Sequence, residues 1–194
     1  MIYAVIDTNV LVSAALTYGK IQSVPYSVFR GIAERKYVPL VDDNIIREYR
    51  EVLSRSKFSI DGETATGIVE TIRMSAINEI VPPTGVELPD ADDVIFYDVA
   101  KAHQDKGVYL VTGNLKHFPN CEFAVSPRGF LNIISPNMGM LVNENAAVYD
   151  STGLLALLRE AQRQAHENGV DNLTEEEIEA EIKAYRAERK KLGL

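Results

Sequence analysis

Apolar runs and amphipathic segments alternate along most of the chain, and this pattern predicts β-strands alternating with α-helices. Each predicted strand is a short apolar run, as expected of a strand buried on both faces; the runs are residues 2–6, 37–41, 79–83, 108–114 and 123–127. Apolar residues recur at helical spacing in residues 10–15, 24–35, 42–53, 62–76, 89–103 and 127–133. This order indicates an α/β fold, in which helices cover both faces of a parallel sheet.

Two polar residues stand where predicted strands end. Asp7 ends the first strand, and Asn114 follows the apolar part of the fourth. Ligands of such sheets bind beyond the carboxyl ends of the strands, so both side chains are expected at that edge. A second interpretation makes Asp7 only the N-cap of the next helix, assisted by Thr8 and Asn9. Position alone favours neither interpretation.

The segment DDNIIREYREVLSR predicts a helix that Asp42 or Asp43 caps. At about 100° per residue its apolar residues form one arc, with Glu48 on the edge of that arc and Glu51 nearly opposite. Glu48 is therefore expected at the core boundary and Glu51 in solvent. A glutamate at such an edge is more often solvated or salt-bridged than a ligand, unless other carboxylates converge on it.

Carboxylates are also concentrated in the segment LPDADDVIF, where Asp90, Asp92 and Asp93 fall at the start of a predicted helix. A helix N-terminus stabilises negative charge, but a single cap explains only one of the three. Asp98 follows on the edge of the apolar stripe of the same helix. Carboxylates gathered at one sheet edge repel one another unless a cation intervenes. Oxygen ligands without a cluster of cysteine and histidine favour Mg²⁺ or Mn²⁺ over zinc.

Composition and net charge limit which classes of protein the chain can belong to. Its 194 residues are 46% hydrophobic, enough for one domain with an extension. Cys121 is the one cysteine, so no disulfide can form within the chain, and we expect a cytoplasmic protein. The net charge is −8, whereas nucleic-acid binders usually carry a basic excess. Binding of nucleic acid would therefore depend on a local basic patch or on metal ions that offset the carboxylates.

Four motifs, IDTNVLVSA, IIREYREVL, DADDVIFYDVA and YLVTGNLKHFP, resemble in order and spacing the PIN-domain family, specifically the toxin branch of bacterial toxin–antitoxin systems. The resemblance covers residues 1–136 and implies a three-layer α/β/α sandwich around a parallel sheet. It implies a ribonuclease that requires Mg²⁺ or Mn²⁺ and prefers single-stranded RNA. By position, the family's acidic metal ligands fall on Asp7, Glu48 and Asp93.

Asn114 stands where the wider family has a fourth aspartate, so it would orient a water molecule without adding charge. In the implied mechanism, the ion generates hydroxide from water and offsets charge on the phosphate. Asp92 and Asp98 are second-tier acidic candidates; Asp98 would replace the missing charge or, as we expect, pair with Lys116 or His117. The candidate contacts to the RNA are Thr112, Lys116 and Arg50, with Arg47, Arg55 and Lys57 less favoured. His117 is also a weak candidate for acid–base chemistry, since imidazole titrates near neutrality.

An alternative function stays open because Asn114 is uncharged where the wider family has an aspartate. A PIN-fold protein that binds RNA or a protein without cutting would also fit the sequence. Metal-dependent cleavage that is lost in Asp7→Ala would distinguish the enzyme from such a regulatory module.

The pattern of apolar and polar residues changes after residue 136. We interpret residues 137–150 as a linker and residues 151–194 as a helical extension with helices at 153–167 and from Thr174 onward. Thr174 and Glu177 match a capping box, and Ile178, Ile182 and Tyr185 form a narrow apolar stripe suited to a groove. Residues 166–191 are similar to the toxin-binding segments of bacterial antitoxins. This similarity implies an antitoxin partner or a self-docking tail, in which Arg186 or Arg189 approaches the carboxylates; packing on its own domain or in a homodimer is the simpler interpretation.

Overall fold

The computed structural model describes residues 1–17, 23–135, 150 and 152–193. The predicted linker, residues 137–150, lies outside the described residues except for Asp150. Within the described ranges, no helix combines the length and apolarity needed to cross a membrane.

A parallel sheet forms the centre of the fold, as the alternating pattern predicted. Its strands are β1 (Tyr3–Ile6), β2 (Val38–Val41), β3 (Ile77–Asn78), β4 (Val108–Val111) and β5 (Ala124–Val125). They are arranged in the order β3-β2-β1-β4-β5, and every neighbouring pair is parallel. The central pair is in register from Tyr3 opposite Val108 to Ile6 opposite Val111.

The helices follow the predicted order. They are α1 (Thr8–Leu16), α2 (Val24–Ala33), α3 (Asp43–Leu53), α4 (Gly62–Ser75), α5 (Val94–Lys101), α6 (Pro127–Ile134), α7 (Leu154–Glu167) and α8 (Glu175–Leu192). Helix α5 is shorter than predicted, because the chain first makes a 3-10 turn over Ala91–Asp93. The predicted capping box of α8 is present, with Thr174 and Glu177 exchanging hydrogen bonds at 2.9 and 3.2 Å.

The strand predicted at residues 79–83 is wrong. The third strand is Ile77–Asn78, and its ladder ends where the Glu79 amide donates to the Val41 carbonyl at 3.1 Å. Ile80, placed in that strand by its apolar character, is 90% exposed. Pro82 and Pro83 could not have continued the ladder, because proline has no amide proton for it.

The strand order creates a crevice between β1 and β4. From β1 the chain moves outward through β2 to β3, and it then returns to the other side of β1 to form β4. Right-handed crossovers in opposite directions place their helices on opposite faces of the sheet. Ligands of parallel sheets bind at such a reversal, beyond the carboxyl ends of the strands. Asp7 and Thr112 follow the last residues of β1 and β4 at this point.

The last two helices pack on the rest of the fold. Leu154, Leu155 and Leu158 of α7 are buried in the same apolar cluster as the strands and α1. Gln162 of α7 donates to the Ala14 carbonyl of α1 at 2.8 Å. The α8 stripe predicted from sequence is also buried, with Ile178, Ile182 and Tyr185 between 2% and 4% exposed. Helix α8 therefore lies against the domain, close to α1.

Candidate functional site

Asp7 faces the crevice and does not cap a helix. It occupies the N-cap position of α1, but its side chain makes no capping hydrogen bond. Its Oδ2 accepts hydrogen bonds from Thr112 Oγ1 at 2.6 Å and from Asn9 Nδ2 at 2.9 Å. The capping interpretation of Asp7 is therefore wrong, and the carboxylate is held at the joint ends of β1 and β4.

The two residues after Asp7 also contribute side chains. Thr8 Oγ1 donates to Glu48 Oε1 at 2.6 Å. Asn9 Oδ1 accepts from the Gly113 amide at 3.1 Å, and a Cβ at Gly113 would lie only 3.3 Å from that oxygen. Sequence reasoning treated Thr8 and Asn9 only as capping aids. The signal for their role was the unbroken DTN triplet, in which every residue carries a polar side chain at the end of a buried strand.

Glu48 lies on the inner edge of α3, as the helical arc predicted. Asp42 is the N-cap of that helix and accepts from the Asn44 amide at 2.7 Å, which resolves the choice between the two capping residues. Glu48 is 5% exposed. Glu51, on the other face, accepts a hydrogen bond from Tyr185 of α8 at 2.6 Å. The helical arc was right about both residues, because Glu51 is exposed even though it also contacts the C-terminal helix.

The three aspartates before α5 have separate roles. Asp90 caps the 3-10 turn, since its Oδ1 accepts from the Asp92 amide at 3.0 Å. Asp93 is 1% exposed and lies in the middle of the acidic cluster. Asp92 points outward and pairs with Lys190 of α8 at 2.8 Å. As the sequence predicted, one aspartate serves as a cap and others remain for the site.

Arg186 of α8 inserts its guanidinium between these carboxylates. Its Nη2 and Nε donate to the two oxygens of Glu48 at 2.8 and 3.3 Å, in a forked pair. Its Nη1 donates to Asp93 Oδ1 at 2.8 Å and to Asp90 Oδ2 at 3.3 Å. The side chain is 6% exposed. The positive charge that the carboxylates require is thus supplied by the chain itself.

Other contacts fix α8 over the crevice. Glu179 accepts from Asn9 Nδ2 at 2.7 Å, and Arg55 pairs with Glu181 at 2.6 Å. A cleft of about 650 Å³ remains beside α8, between this helix and the ends of β1 and β4. The polar residues of the cleft wall include Asn9, Ser13, Asn114, Lys116, Glu179 and Lys183.

His117 lies beside Asp93 Oδ2, whereas Arg186 donates to Asp93 Oδ1, and Asn114 lies next to the His117 ring. His117 Nδ1 lies 2.7 Å from Asp93 Oδ2. The other ring nitrogen, Nε2, lies 2.8 Å from Asn114 Nδ2. Asp93 Oδ2 is buried and, among the described residues, has no hydrogen bond of good geometry. Asn114 therefore contacts His117 and not a carboxylate.

Burial determines the protonation of the two central aspartates. The pKa of Asp7 is raised to about 7, first by burial and then by the charge of Asp93, against the opposing effects of Thr112 and Arg186. Burial likewise raises the pKa of Asp93 to about 7, although Arg186 opposes the change. Burial disfavours the charge on Arg186, but Glu48 and Asp93 outweigh burial and raise its pKa. These carboxylates thus retain their charge only when a cation is near.

The remaining candidates lie outside the acidic cluster. Asp98 is buried, but its Oδ1 accepts from the amide and hydroxyl of Thr84 at 3.1 and 2.6 Å. The expected pairing of Asp98 with Lys116 or His117 is therefore wrong, because Asp98 holds the loop before α5. Arg50 pairs with Glu70 at 2.6 Å and is directed away from the crevice.

The residues present fit a divalent cation. Ligand atoms of Asp90, Asp93 and His117 lie within 4.8 Å of one another, and Asp93 contributes a buried oxygen that lacks a hydrogen bond of good geometry within the described part of the chain. Glu48 adds a further carboxylate, joined to Asp93 through the same guanidinium. Mainly oxygen donors of this kind suit Mg²⁺ or Mn²⁺. The arrangement could hold such an ion once Arg186 has moved.

Comparisons with known proteins agree with this architecture. A family model described as PIN domain matches residues 3–116, more than half of the 194 residues. The match runs from β1 to the turn after β4 and includes Asp7, Glu48, Asp93 and Asn114. No curated protein and no solved structure matches the chain.

Proposed function

Because the chain belongs to the PIN-domain family, whose members are generally nucleases that use divalent metal ions, we propose that it is a Mg²⁺- or Mn²⁺-dependent endoribonuclease. One observation carries this proposal: a buried cluster of Glu48, Asp90 and Asp93 encloses a positive charge beside Asp7. Carboxylates that are buried together are either protonated or paired with a cation, because the desolvation of several uncompensated charges costs too much. Such a cluster at the carboxyl edge of a parallel sheet is suited to hydrolysis of phosphodiesters.

Each residue has a definite task in this proposal. Asp7, Glu48 and Asp93 hold the cation, Thr8 fixes the orientation of Glu48, and Thr112 fixes that of Asp7. When bound, the cation would activate water and offset charge on the phosphate. The cleft beside α8 accepts the RNA strand, with Lys116 and Lys183 on its wall for phosphate contacts. Arg50 is a less suitable contact, because it is already paired with Glu70.

The C-terminal helix holds the site in an inactive state. Arg186 occupies the position of the cation, and Glu179 ties α8 to Asn9 beside Asp7. A metal ion and the guanidinium cannot share Asp93 and Glu48, so the Arg186 side chain must leave the cluster before the metal binds. This arrangement supports residues 151–194 as a self-docking, antitoxin-like extension of a nuclease domain at residues 1–136. A role as a bacterial toxin with an antitoxin partner is proposed from the resemblance of the sequence. Action in the cytoplasm is proposed from the single cysteine, and packing in a homodimer is the alternative to self-docking.

Cleavage of RNA tests the proposal. Purified chain is incubated with unstructured and duplex RNA in Mg²⁺, Mn²⁺ or EDTA. We expect little cleavage by wild type, faster cleavage of the unstructured RNA by Arg186→Met in metal, and loss of that cleavage in EDTA and when Asp7→Ala is added. Cleavage that persists in EDTA would refute the metal-dependent mechanism. RNA binding without cleavage, in wild type and in Arg186→Met alike, would favour the alternative of a regulatory binding module.

A further inference from the structure

The contact between His117 and Asp93 has the geometry of two ligands of one ion. His117 Nδ1 and Asp93 Oδ2 lie 2.7 Å apart. Yet the oxygen has no hydrogen bond of good geometry among the described residues. Adjacent ligands at about 2.1 Å from an octahedral ion lie roughly 3 Å apart. The two atoms are therefore nearly at the spacing of neighbours in a coordination shell, and Asp93 is 2% exposed in its side chain.

We propose that His117 Nδ1 is a nitrogen ligand of the divalent cation and that Asn114 positions its ring, so that the site favours Mn²⁺ over Mg²⁺. The inference rests on the proposed function, which assigns a metal to this cluster. It adds a ligand that sequence reasoning considered only for acid–base chemistry. It also gives Asn114 a task different from orienting water.

The turn between the two residues fixes their relation. Asn114 precedes the 3-10 helix Leu115–His117, and the His117 amide donates to the Asn114 carbonyl at 3.1 Å. The Asn114 amide in turn donates to Thr112 Oγ1 at 3.0 Å. One 3-10 turn brings positions i and i+3 onto the same side, so the side chain of Asn114 reaches the ring of His117. The spacing within TGNLKH thus couples the asparagine to the histidine.

The side chain of Asn114 can set the tautomer of His117. Its terminal nitrogen and oxygen exchange places on a rotation by about 180°, and structures rarely distinguish the two. With the oxygen facing Nε2, the ring donates its Nε2 proton to Asn114 and presents the Nδ1 lone pair toward Asp93. Histidine ligands usually donate their other ring N–H to a carbonyl or carboxylate in this way. Asn114 is therefore a positioning residue for His117.

A nitrogen ligand changes which metal the site prefers. Mg²⁺ favours oxygen ligands and water, whereas imidazole binds transition metals more readily. The cluster of Asp90, Asp93 and His117 offers both atom types within 4.8 Å. Mn²⁺ accepts both, so loss of His117 should weaken Mn²⁺ binding much more than Mg²⁺ binding. Loss of a group that only orients a ligand weakens metal binding by about 10- to 100-fold, and loss of the ligand itself should weaken Mn²⁺ binding at least tenfold.

Pulsed electron paramagnetic resonance of bound Mn²⁺ tests the ligand directly, because it detects magnetic coupling to a nearby imidazole nitrogen. The full chain is measured as wild type and as Arg186→Met, in which the competing guanidinium is removed. His117→Gln and Asn114→Leu are compared with the control His166→Gln, on the exposed part of α7. Calorimetric titrations with Mn²⁺ and Mg²⁺ give the affinities.

We expect nitrogen coupling in Arg186→Met and its loss when His117→Gln is added. We also expect at least tenfold weaker Mn²⁺ binding in that double variant, a smaller change for Mg²⁺ and no change with His166→Gln. Asn114→Leu should alter the coupling. Bound Mn²⁺ without nitrogen coupling would overturn the inference even if His117→Gln fails to fold. Nitrogen coupling in a chain that cleaves no RNA would uphold the inference and refute the proposed function, whereas absence of Mn²⁺ binding in wild type and Arg186→Met would refute both.

Discussion

Wild type should exclude metal because of Arg186, whereas a variant without Arg186 should require metal for full stability. Arg186→Met keeps the apolar stem but removes the only described cation between Glu48 and Asp93. Removing one partner of a buried ion pair costs about 3–5 kcal/mol. For a chain of this size, each kcal/mol changes Tm by about 2–4 °C. We therefore expect the metal-free variant at pH 8 to unfold about 6–20 °C below wild type.

Metal should raise the Tm of the variant and should not raise that of wild type. To bind in wild type, the ion must break two charged hydrogen bonds of 2.8 Å, each worth about 1.5–3 kcal/mol. If metal binding by wild type is weaker than binding by the variant by about 3 kcal/mol, the Kd of wild type is roughly 100-fold higher. At 100 times the Kd of the variant, metal adds about 2.7 kcal/mol of stability.

Thermal unfolding with and without Mn²⁺, together with calorimetry, measures both effects. Arg189→Met is the matched control, since Arg189 lies one turn further along α8 and stacks 5.9 Å from the Tyr185 ring. The control should bind metal no more tightly than wild type. Equal metal affinity in Arg186→Met and wild type would refute the idea that the guanidinium occupies the metal position.

Three further predictions follow from the same contacts. Because the pKa of Asp7 is raised to about 7, the stability that this group contributes is full below the unfolded pKa near 3.8 and is lost as pH rises through about 7. Asp7→Asn should therefore raise the metal-free Tm at pH 8 by at least about 2–4 °C and flatten the decline of Tm between pH 5 and 8. A lower Tm of the variant at pH 8 would contradict this. Asn114→Asp adds a charge beside the cluster and should tighten metal binding by about 1 kcal/mol or more in calorimetry; unchanged affinity would limit residue 114 to positioning His117. Tyr185→Phe removes the 2.6 Å bond to Glu51 and should cost about 1 kcal/mol in denaturant unfolding, whereas an unchanged midpoint would mean that α8 is held without it.

The sequence predicted which carboxylates meet because strand ends and helical arcs are local properties. Asp7 at a strand end, Glu48 on the edge of an apolar arc and three aspartates at a helix start were each visible in short segments. The choice of Asp93 among the three came from the family resemblance, and Asp90, which also contacts Arg186, was not among the predicted ligands. Parallel pairing of β1 and β4 then brought those segments together. Asp98 looked equivalent to Glu48 by the same arc, but the loop containing Thr84 occupies its oxygen. That contact depends on a tertiary path that no periodicity reveals.

The position of α8 shows the other limit of sequence reasoning. Its stripe of Ile178, Ile182 and Tyr185 predicted a docking face but not the surface that receives it. The choice between Arg186 and Arg189 was likewise open, since both lie near the end of one helix. The docking of α8 against α1 and α3 decides between the two arginines. It buries Arg186 among the carboxylates and leaves Arg189 over the Tyr185 ring. Such pairings between distant segments require the folded chain.

The most direct test of the central claim compares RNA cleavage by wild type, Arg186→Met and the double variant Asp7→Ala/Arg186→Met in Mn²⁺ at equal concentrations of folded protein. We predict that Arg186→Met cleaves single-stranded RNA faster than wild type, that EDTA abolishes this cleavage, and that the double variant is inactive. Cleavage by the double variant, or no cleavage by Arg186→Met with Mn²⁺ bound, would contradict the claim that this cluster is a metal-dependent ribonuclease site closed by its own C-terminal helix.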